Sequence, residues 1–419
     1  MRTQCMGLVL IGVMVVGWSG TVSARTLQEQ LDEAILQGVT LDTSAGHVAH
    51  FSNESLTEVG AQIEVLAASA ADVPAIATAP GFTFRYDPEL KVMTRTRSAL
   101  GTLFVDRAGT VGKGTFEVGA GYIYLDFDEL DGESLEGSEF ILDHAPEPDD
   151  PDFESDKTKL IFDEFVLQSH FIPFFLTYGI TDRWDVNVVV PLVHTRLKTE
   201  ARFVIQEPRA FGDDGEPIHE FPNGTRTQRV RVSDSKTGVG DLLLRTKYRF
   251  ADDAAGFEAA GVFTLRVPTG EEENFQGLGD VILTPGVIAS RSFGRFDAHA
   301  NLGVDVNAGD VDGSRVRYGL GGAFGIVEGL GIFTELFGSS GLAERDLDFE
   351  RQTFDPDTGA PRGSVTETVS VRTDLLDVAA GLKISVSDRF VGYAGAIVPI
   401  TDDGLRADVV PVGGFEFTF

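Results

Sequence analysis

Residues 296–307 read Phe-Asp-Ala-His-Ala-Asn-Leu-Gly-Val-Asp-Val-Asn, and this stretch alternates without a break. Every even position, from Phe296 to Val306, is apolar, and every odd position, from Asp297 to Asn307, is polar or glycine. Side chains two residues apart point to the same face of a β-strand, so the stretch predicts a strand with one apolar and one polar face. One such strand is typical of any antiparallel sheet that covers a core.

The same alternation returns along the chain from about residue 114 onward. Short and long connections between these stretches follow each other along the chain. A short one lies at 251–254, and long ones lie at 207–236 and 342–370. Strands of about ten residues, with short turns at one end and longer loops at the other, are typical of outer-membrane barrels. The twelve predicted strands lie near residues 115–126, 160–178, 184–203, 238–250, 256–268, 278–292, 295–307, 315–327, 329–341, 371–386, 389–400 and 406–419.

Closure of the sheet is the physical reason for this architecture. Inside lipid every backbone amide needs a partner, so a sheet can cross a membrane only if it leaves no edge. The sequence therefore predicts an all-β fold, a transmembrane antiparallel β-barrel of about 12 strands over residues 114–419, with a partly helical N-terminal segment.

The first residues predict an export signal. Arg2 precedes the apolar stretch MGLVLIGVMVVGW, and Val22-Ser23-Ala24 is a small-residue cleavage pattern. We expect residues 1–24 to be a signal peptide that is cleaved after Ala24, and we expect the protein to reach the outer membrane of a Gram-negative cell.

Residues 25–113 do not follow the β pattern and predict helices. Thr26 and Glu29 form a capping box, Leu27, Leu31 and Ile35 recur at helical spacing, and a second amphipathic helix fits 54–71. Two interpretations stay open, a plug inside the barrel lumen and a periplasmic tail. A plug could pair basic residues such as Arg107 with acids of the lumen.

Composition argues against several other functions. The chain has 34 Lys and Arg against 65 Asp and Glu, a net charge of −31, whereas nucleic-acid binding needs a basic face. Cys5, inside the predicted signal, is the only cysteine. We expect no catalytic residues and no cofactor, and a barrel hydrolase that uses His299 is a minor hypothesis. We also expect no metal site, since His47 and His50 are the only histidines at the spacing of metal ligands.

The polar positions of the alternating strands predict which side chains face the lumen. The candidates are Asp185, Asn187, Asp241, Arg245, Lys247, Glu258, Arg266, Asp297, His299, Asn301, Asp305, Arg315, Arg317, Asp377 and Lys383.

The last strand predicts an assembly signal. Phe415, Phe417 and Phe419 share one face of an alternating stretch, and Phe419 is the final residue. This ending resembles the signal by which the outer-membrane assembly machinery recognises its substrates.

Several motifs together resemble a known family. Residues 98–108, SALGTLFVDRA, lead into TVGKG at 110–114, and LTYGITDRWD follows at 176–185, with Gly-x-Gly-Asp at 238–241 and 277–280. From about residue 95 to 419 the chain resembles the outer-membrane channel family of the phenol meta pathway (MetA pathway of phenol degradation). The resemblance implies a barrel that passes hydrophobic compounds, and it assigns no binding residue.

Two functions therefore compete. The first is an outer-membrane channel for the passive uptake of small hydrophobic or aromatic compounds, with outer-membrane lipid, the assembly machinery and those solutes as its partners. The second is a structural or adhesive barrel with a closed lumen, whose acidic extracellular loops, such as 127–158, bind partners. The sequence leaves the substrate, the oligomeric state and cation binding by the loops open.

Overall fold

The computed structural model describes residues 25–41, 59–60, 63, 65–66, 69–73, 84–87, 92–95, 100–142, 157–206, 219–252, 257–354, 361–387 and 389–419. The predicted signal peptide, the pair His47 and His50, and residues 143–156 of the acidic loop lie outside these ranges.

Twelve strands form the main body. They are β1 Phe116–Phe127, β2 Lys157–Thr181, β3 Trp184–Gln206, β4 Leu242–Asp252, β5 Phe257–Val267, β6 Ile282–Phe293, β7 Phe296–Asn307, β8 Arg315–Val327, β9 Leu330–Gly341, β10 Asp374–Ser387, β11 Phe390–Pro399 and β12 Val410–Thr418.

These strands close into one antiparallel barrel. Each strand pairs with the next along the chain, and β12 pairs with β1 through contacts such as Phe417 with Val118. The backbone groups of Phe116 and Phe419 also bond each other, at 2.8 and 3.3 Å, beside this seam. The predicted barrel and its strand number are therefore confirmed.

The connections sort the barrel into two ends. The turns after β2, β4, β6, β8 and β10 are short, and we call this the short-turn end. The opposite, long-loop end carries additional strands that the sequence pattern placed in loops. These are Thr227–Val239, which extends the sheet beside β3, Glu139–Leu142 beside β2, the hairpin Arg345–Phe354 with Pro361–Val371, and the short pairs Glu129–Leu130, Glu133–Ser134 and Leu405–Arg406. A small hairpin, Phe84–Asp87 with Val92–Arg95, belongs to the N-terminal segment.

Apolar side chains cover the outside of the barrel. On β2 and β3 the exposed row consists of Phe174, Leu176, Val188, Val190 and Leu192, and on β7 Leu302 is 54% exposed. Aromatic residues ring the outside near the short turns, namely Trp184, Phe250, Phe257, Phe293 and Phe296. Such a belt with an aromatic border matches the hydrocarbon layer of a bilayer and its interface. No helix within the described residues is long and apolar enough to cross a membrane.

The N-terminal helix α1 spans Leu27–Val39, as the capping box predicts. The Thr26 hydroxyl accepts a hydrogen bond from the Glu29 backbone N–H at 3.1 Å, and the Glu29 carboxylate accepts one from the Thr26 backbone N–H at 2.8 Å. Described residues of 59–70 are also helical, and Val59, Ile63 and Leu66 are buried.

Helix α1 packs against the long-loop end of the barrel. Leu27 and Leu31 are buried in one apolar cluster with Leu197 and Phe203 of β3. A Cβ at Gly38 would lie 1.9 Å from the Phe203 ring, so only glycine allows this approach. The face that the sequence marks as apolar is therefore buried against β3.

Candidate functional site in the barrel interior

The fifteen polar residues that the sequence placed in the lumen are all buried or half-buried. Asp185, Lys247 and Lys383 are each 1% exposed, although they belong to strands whose other face is in contact with the surroundings. Charged groups are rarely this buried unless they have partners. Those partners come from the wall itself and from the N-terminal segment.

The segment 100–113, which we call the inner segment, lies on the inner face near the short-turn end. Leu103 is 0% exposed, and the Phe104 ring lies 5.1 Å from the Phe337 ring of β9, centre to centre. The Glu335 carboxylate of β9 accepts hydrogen bonds from three consecutive backbone N–H groups, those of Leu103, Phe104 and Val105, the last two at 2.7 Å. One wall carboxylate thus satisfies three buried donors, which holds the inner segment against β9.

Other wall residues hold the inner segment from different sides. Lys383 of β10 donates to the Thr102 carbonyl at 2.6 Å, and Lys247 of β4 donates to the Arg107 carbonyl at 3.0 Å. Asp185 of β3 accepts from the Val111 N–H at 3.0 Å. Strands from opposite parts of the ring therefore bind one stretch of chain.

Asn301 of β7 adds a two-point contact. In the amide orientation that satisfies both of its polar atoms, its nitrogen donates to the Asp106 carbonyl at 2.8 Å and its oxygen accepts from the Asp106 N–H at 2.6 Å. The Asn301 amide therefore pairs with both backbone groups of Asp106, as the backbone of a neighbouring β-strand would.

Arg107 carries the buried charge of the inner segment. Burial lowers the pKa of its guanidinium, and the nearby carboxylates Glu117, Glu416 and Asp297 counteract this effect. Asp297 is one of the acids that the sequence predicts in the lumen. Its charge lies close to Arg107, the basic residue that the sequence suggested as a partner for such acids.

His299 contacts a serine of the neighbouring strand beneath the inner segment. Its Nδ1 lies 2.9 Å from the hydroxyl of Ser290, the residue that faces it on β6, and the Ser290 hydroxyl accepts from the Ala108 N–H at 2.9 Å. Both side chains are 7% exposed beneath the inner segment. Ser290 thus binds backbone instead of facing open space, and among the described residues no cluster of His, Cys, Asp and Glu could hold a metal ion.

A second charged cluster lies nearer the long-loop end. Asp72, from the N-terminal segment, forms ion pairs with Arg315, with Arg317 at 3.3 Å and with Arg266 at 3.9 Å. Asp305 pairs with Arg315 at 3.6 Å and also with Arg317. Burial raises the pKa of Asp72, but the three arginine charges outweigh burial and hold that pKa well below its usual value of 3.8.

Several predicted lumen residues mainly stabilise the wall or a loop. Asp241 accepts from the Leu278 N–H at 2.9 Å, which ties the β5–β6 loop to β4. Two others form pairs within the wall, Glu258 with Arg249 at 2.9 Å and Asn187 with Thr177 at 2.8 Å. Asp377 pairs at 3.1 Å with Arg406 of the short loop strand Leu405–Arg406.

Two adjacent cavities remain beside these clusters. One of about 160 Å³ lies at the long-loop end, between apolar residues such as Phe127 and Ile397 and the charged Arg315 and Arg406. A deeper one of about 220 Å³ reaches the inner segment at Phe104, and Arg245 lines it. Both are lined by Val73, Arg317, Phe337 and Gly338, so they adjoin.

The deeper cavity exists partly because two facing positions have no side chain. Gly286 of β6 and Gly303 of β7 are register partners and both line this cavity. Larger inward residues there would occupy the space directly.

Glu335, Ser290 and Asp72 were not identified from the sequence. Glu335 stands in Phe333-Thr334-Glu335-Leu336-Phe337, where apolar residues occur on both faces and obscure the alternation. The one sequence feature that could have indicated its role is a carboxylate in an otherwise apolar stretch. Ser290 and Asp72 carry no pattern that separates them from surface residues.

Comparison with known families gives one match. The family described as "Putative MetA-pathway of phenol degradation" matches residues 169–398, more than half of the chain. Among curated proteins, none matches this chain in sequence.

Solved structures with a similar fold include outer-membrane proteins of different kinds. A COG4313 outer membrane channel from Pseudomonas putida F1 has 13% identity and a TM-score of 0.46, over 74% of this chain and 97% of that one. The P. putida toluene transporter TodX has 10% identity and a TM-score of 0.33, over 73% and 89%. The translocator domain of the autotransporter NalP from Neisseria meningitidis has 8% identity and a TM-score of 0.36, over 74% and 89%. Channels and a translocator domain match alike, so these similarities do not distinguish between functions.

Proposed function

Since the chain belongs to the family described as "Putative MetA-pathway of phenol degradation", we propose that it is an outer-membrane channel for the passive uptake of small hydrophobic or aromatic compounds. The long-loop end would face the exterior and the short-turn end the periplasm. In this proposal residues 1–24 direct export and are removed, and the terminal Phe415, Phe417 and Phe419 direct assembly into the membrane.

The pair of adjoining cavities is the observation that carries the proposal. Their volumes, about 160 and 220 Å³, are close to that of an engineered apolar cavity of about 150 Å³ that binds benzene. Their walls combine apolar residues with charged groups, several of which neutralise one another in ion pairs such as those of Asp72 with Arg315 and of Asp241 with Arg266. A compound with one or two aromatic rings would fit without displacing the wall.

The inner segment would act as a plug in this channel. Glu335, Lys383, Lys247 and Asp185 bind its backbone, so a solute that leaves the deeper cavity meets a barrier of ordered chain. Transport then requires at least local release of residues 100–113. A plug of this kind also limits the passage of ions while the channel is at rest.

The test fills the deeper cavity and measures uptake of a hydrophobic probe. Gly303→Phe places a ring in the cavity, whereas the control Gly261→Phe changes a position whose added Cβ meets nothing within 4 Å. Gram-negative cells producing each variant would be given the fluorescent aromatic probe phenylnaphthylamine, which reports arrival behind the outer leaflet. Heat-modifiable migration in gels verifies that each barrel is folded.

We expect wild type and Gly261→Phe to increase probe uptake alike and Gly303→Phe to lose most of that increase. Equal uptake by both variants would contradict a route through the cavity. No increase with folded wild type would favour the alternative, a structural or adhesive barrel with a closed lumen and partner-binding acidic loops.

A further inference from the structure

A group of outward-facing basic residues stands above the apolar belt at the long-loop end. It consists of Arg196, Lys198 and Arg202 of β3 with Arg229 and Arg231 of the neighbouring strand Thr227–Val239, and we call it the cationic strip. Strand register places Arg202 opposite Arg229, so the two strands carry one continuous strip. Such a concentration of positive charge is unexpected in a chain with a net charge of −31.

The strip follows the membrane-facing row of β3 directly. Val188, Val190 and Leu192 are exposed apolar residues, His194 comes next, and Arg196 follows on the same face. Four residues of a tilted strand rise about 10 Å, so Arg196 stands about that far above Leu192.

Aromatic residues mark the level between the belt and the strip. The Tyr122 hydroxyl lies 2.8 Å from Nδ1 of His170, and the rings of His170 and His194 are 5.8 Å apart. Tyrosine rings such as that of Tyr122 sit at the boundary between hydrocarbon and headgroups. The strip therefore begins, at Arg196, at the height of the lipid headgroups and continues away from the apolar belt.

Carboxylates balance only part of the charge in the strip. Arg202 binds Asp163 through two hydrogen bonds of 2.7 Å, and Arg231 binds Glu200 at 2.8 and 2.9 Å. Lys198 pairs with Glu164. Within the described residues, three carboxylates thus serve five cations.

Two arginines are left with capacity for another anion. Arg229 is 3.5 Å from Glu200 and 3.9 Å from Asp163, which other arginines already bind, and its side chain is 54% exposed. Arg196 is exposed and has no ion pair or hydrogen bond within the described part of the chain. Arginine forms bidentate hydrogen bonds with phosphate. Strand register places Arg229 beside Arg202, about 20 Å along the sheet from Arg196, so each of these two arginines suits a separate phosphate group.

We propose that the cationic strip binds the phosphate groups of lipopolysaccharide in the outer leaflet. This inference rests on the proposed outer-membrane location, which sets the long-loop end toward that leaflet. The acyl chains of the lipid would lie along the apolar row of β3, and its phosphates would meet Arg196 and Arg229. Because β2, β3 and Thr227–Val239 are paired in one sheet, the backbone of the site is already in place before a lipid binds.

Binding of lipid A by the purified full-length mature protein tests the proposal. The probe is fluorescent lipid A in detergent, compared with the same lipid after enzymatic removal of its phosphates. Arg196→Gln with Arg229→Gln removes the two available guanidinium groups. The control Arg291→Gln with Arg389→Gln removes the same charge from exposed residues at the short-turn end.

We expect wild type to prefer phosphorylated lipid A, and the Arg196/Arg229 variant to bind it about tenfold or more weakly, because a basic residue near an anionic surface contributes up to this order. The control variant should bind like wild type. Equal binding by the two variants, or equal binding of the two lipids by wild type, would overturn the proposal. Displacement by inorganic phosphate alone would show a free-anion site instead.

Probe uptake by wild type separates the two proposals. Normal uptake of phenylnaphthylamine by a wild type that shows no preference for phosphorylated lipid A would refute only the lipid site, and absent uptake by a wild type that keeps this preference would refute only the channel.

Discussion

Glu335 offers the sharpest test of how the inner segment is held. Its carboxylate accepts the backbone N–H groups of Leu103, Phe104 and Val105, and the side chain is 2% exposed. In Glu335→Ala these three buried donors lose their acceptor. We expect the inner segment to detach far more often in this variant, while the barrel strands stay paired.

The size of the effect follows from the number of donors. A buried donor that loses its partner costs about 1 kcal/mol or more, so three donors give about 3 kcal/mol. This corresponds to roughly a hundredfold increase in the open fraction of the inner segment. Glu335→Gln keeps one acceptor oxygen and should show an intermediate effect.

Hydrogen exchange measured by mass spectrometry gives the direct readout. Peptides that contain residues 103–105 should lose about a hundredfold in protection in Glu335→Ala, and planar bilayers should show more stepwise current than wild type. Glu258→Ala is the matched control, because its carboxylate pairs with Arg249 of the wall. Unchanged protection at 103–105, or an equal change in the control, would refute the reasoning.

Two further predictions concern the wall and the Asp72 cluster. Leu302→Arg places a charge on the lipid-facing side, where it should cost about 2–4 kcal/mol, measured as lower stability of the folded barrel in urea titrations. The same change at Asn301 should leave the barrel folded and increase hydrogen exchange at the Asp106 amide. Equal destabilisation by both changes would contradict a wall with one lipid-facing and one inward-facing side. Because the folded pKa of Asp72 is depressed, its contribution to stability is fully present above its usual value of 3.8 and is lost as the pH falls below that value toward the folded pKa. The difference in exchange protection of residues 69–73 between wild type and Asp72→Asn should therefore be constant from pH 7 to pH 5 and shrink below 3.8, and a difference that fades near pH 6 would point to another group.

The barrel was predictable from the sequence because its signal is local. Alternation within a strand such as 296–307 depends only on which side faces lipid, and each strand repeats the same rule. The capping box at Thr26 and Glu29 is local too, and it correctly predicts where α1 begins. The additional strand Thr227–Val239 escaped prediction, since its outer face is polar and its alternation is therefore weak.

The inner arrangement was decided only by tertiary structure. Leu103 and Glu335 are 232 residues apart, and their contact exists because ring closure brings β9 to the level that the inner segment reaches. These contacts are made by backbone N–H groups, which every residue except proline carries. No pattern of residue types therefore predicts them. The cationic strip likewise needs the register of two strands that are separated along the chain by a long connection. Sequence alone thus determined which face of each strand meets lipid, whereas closure of the sheet determined what lies inside it and which charges meet outside.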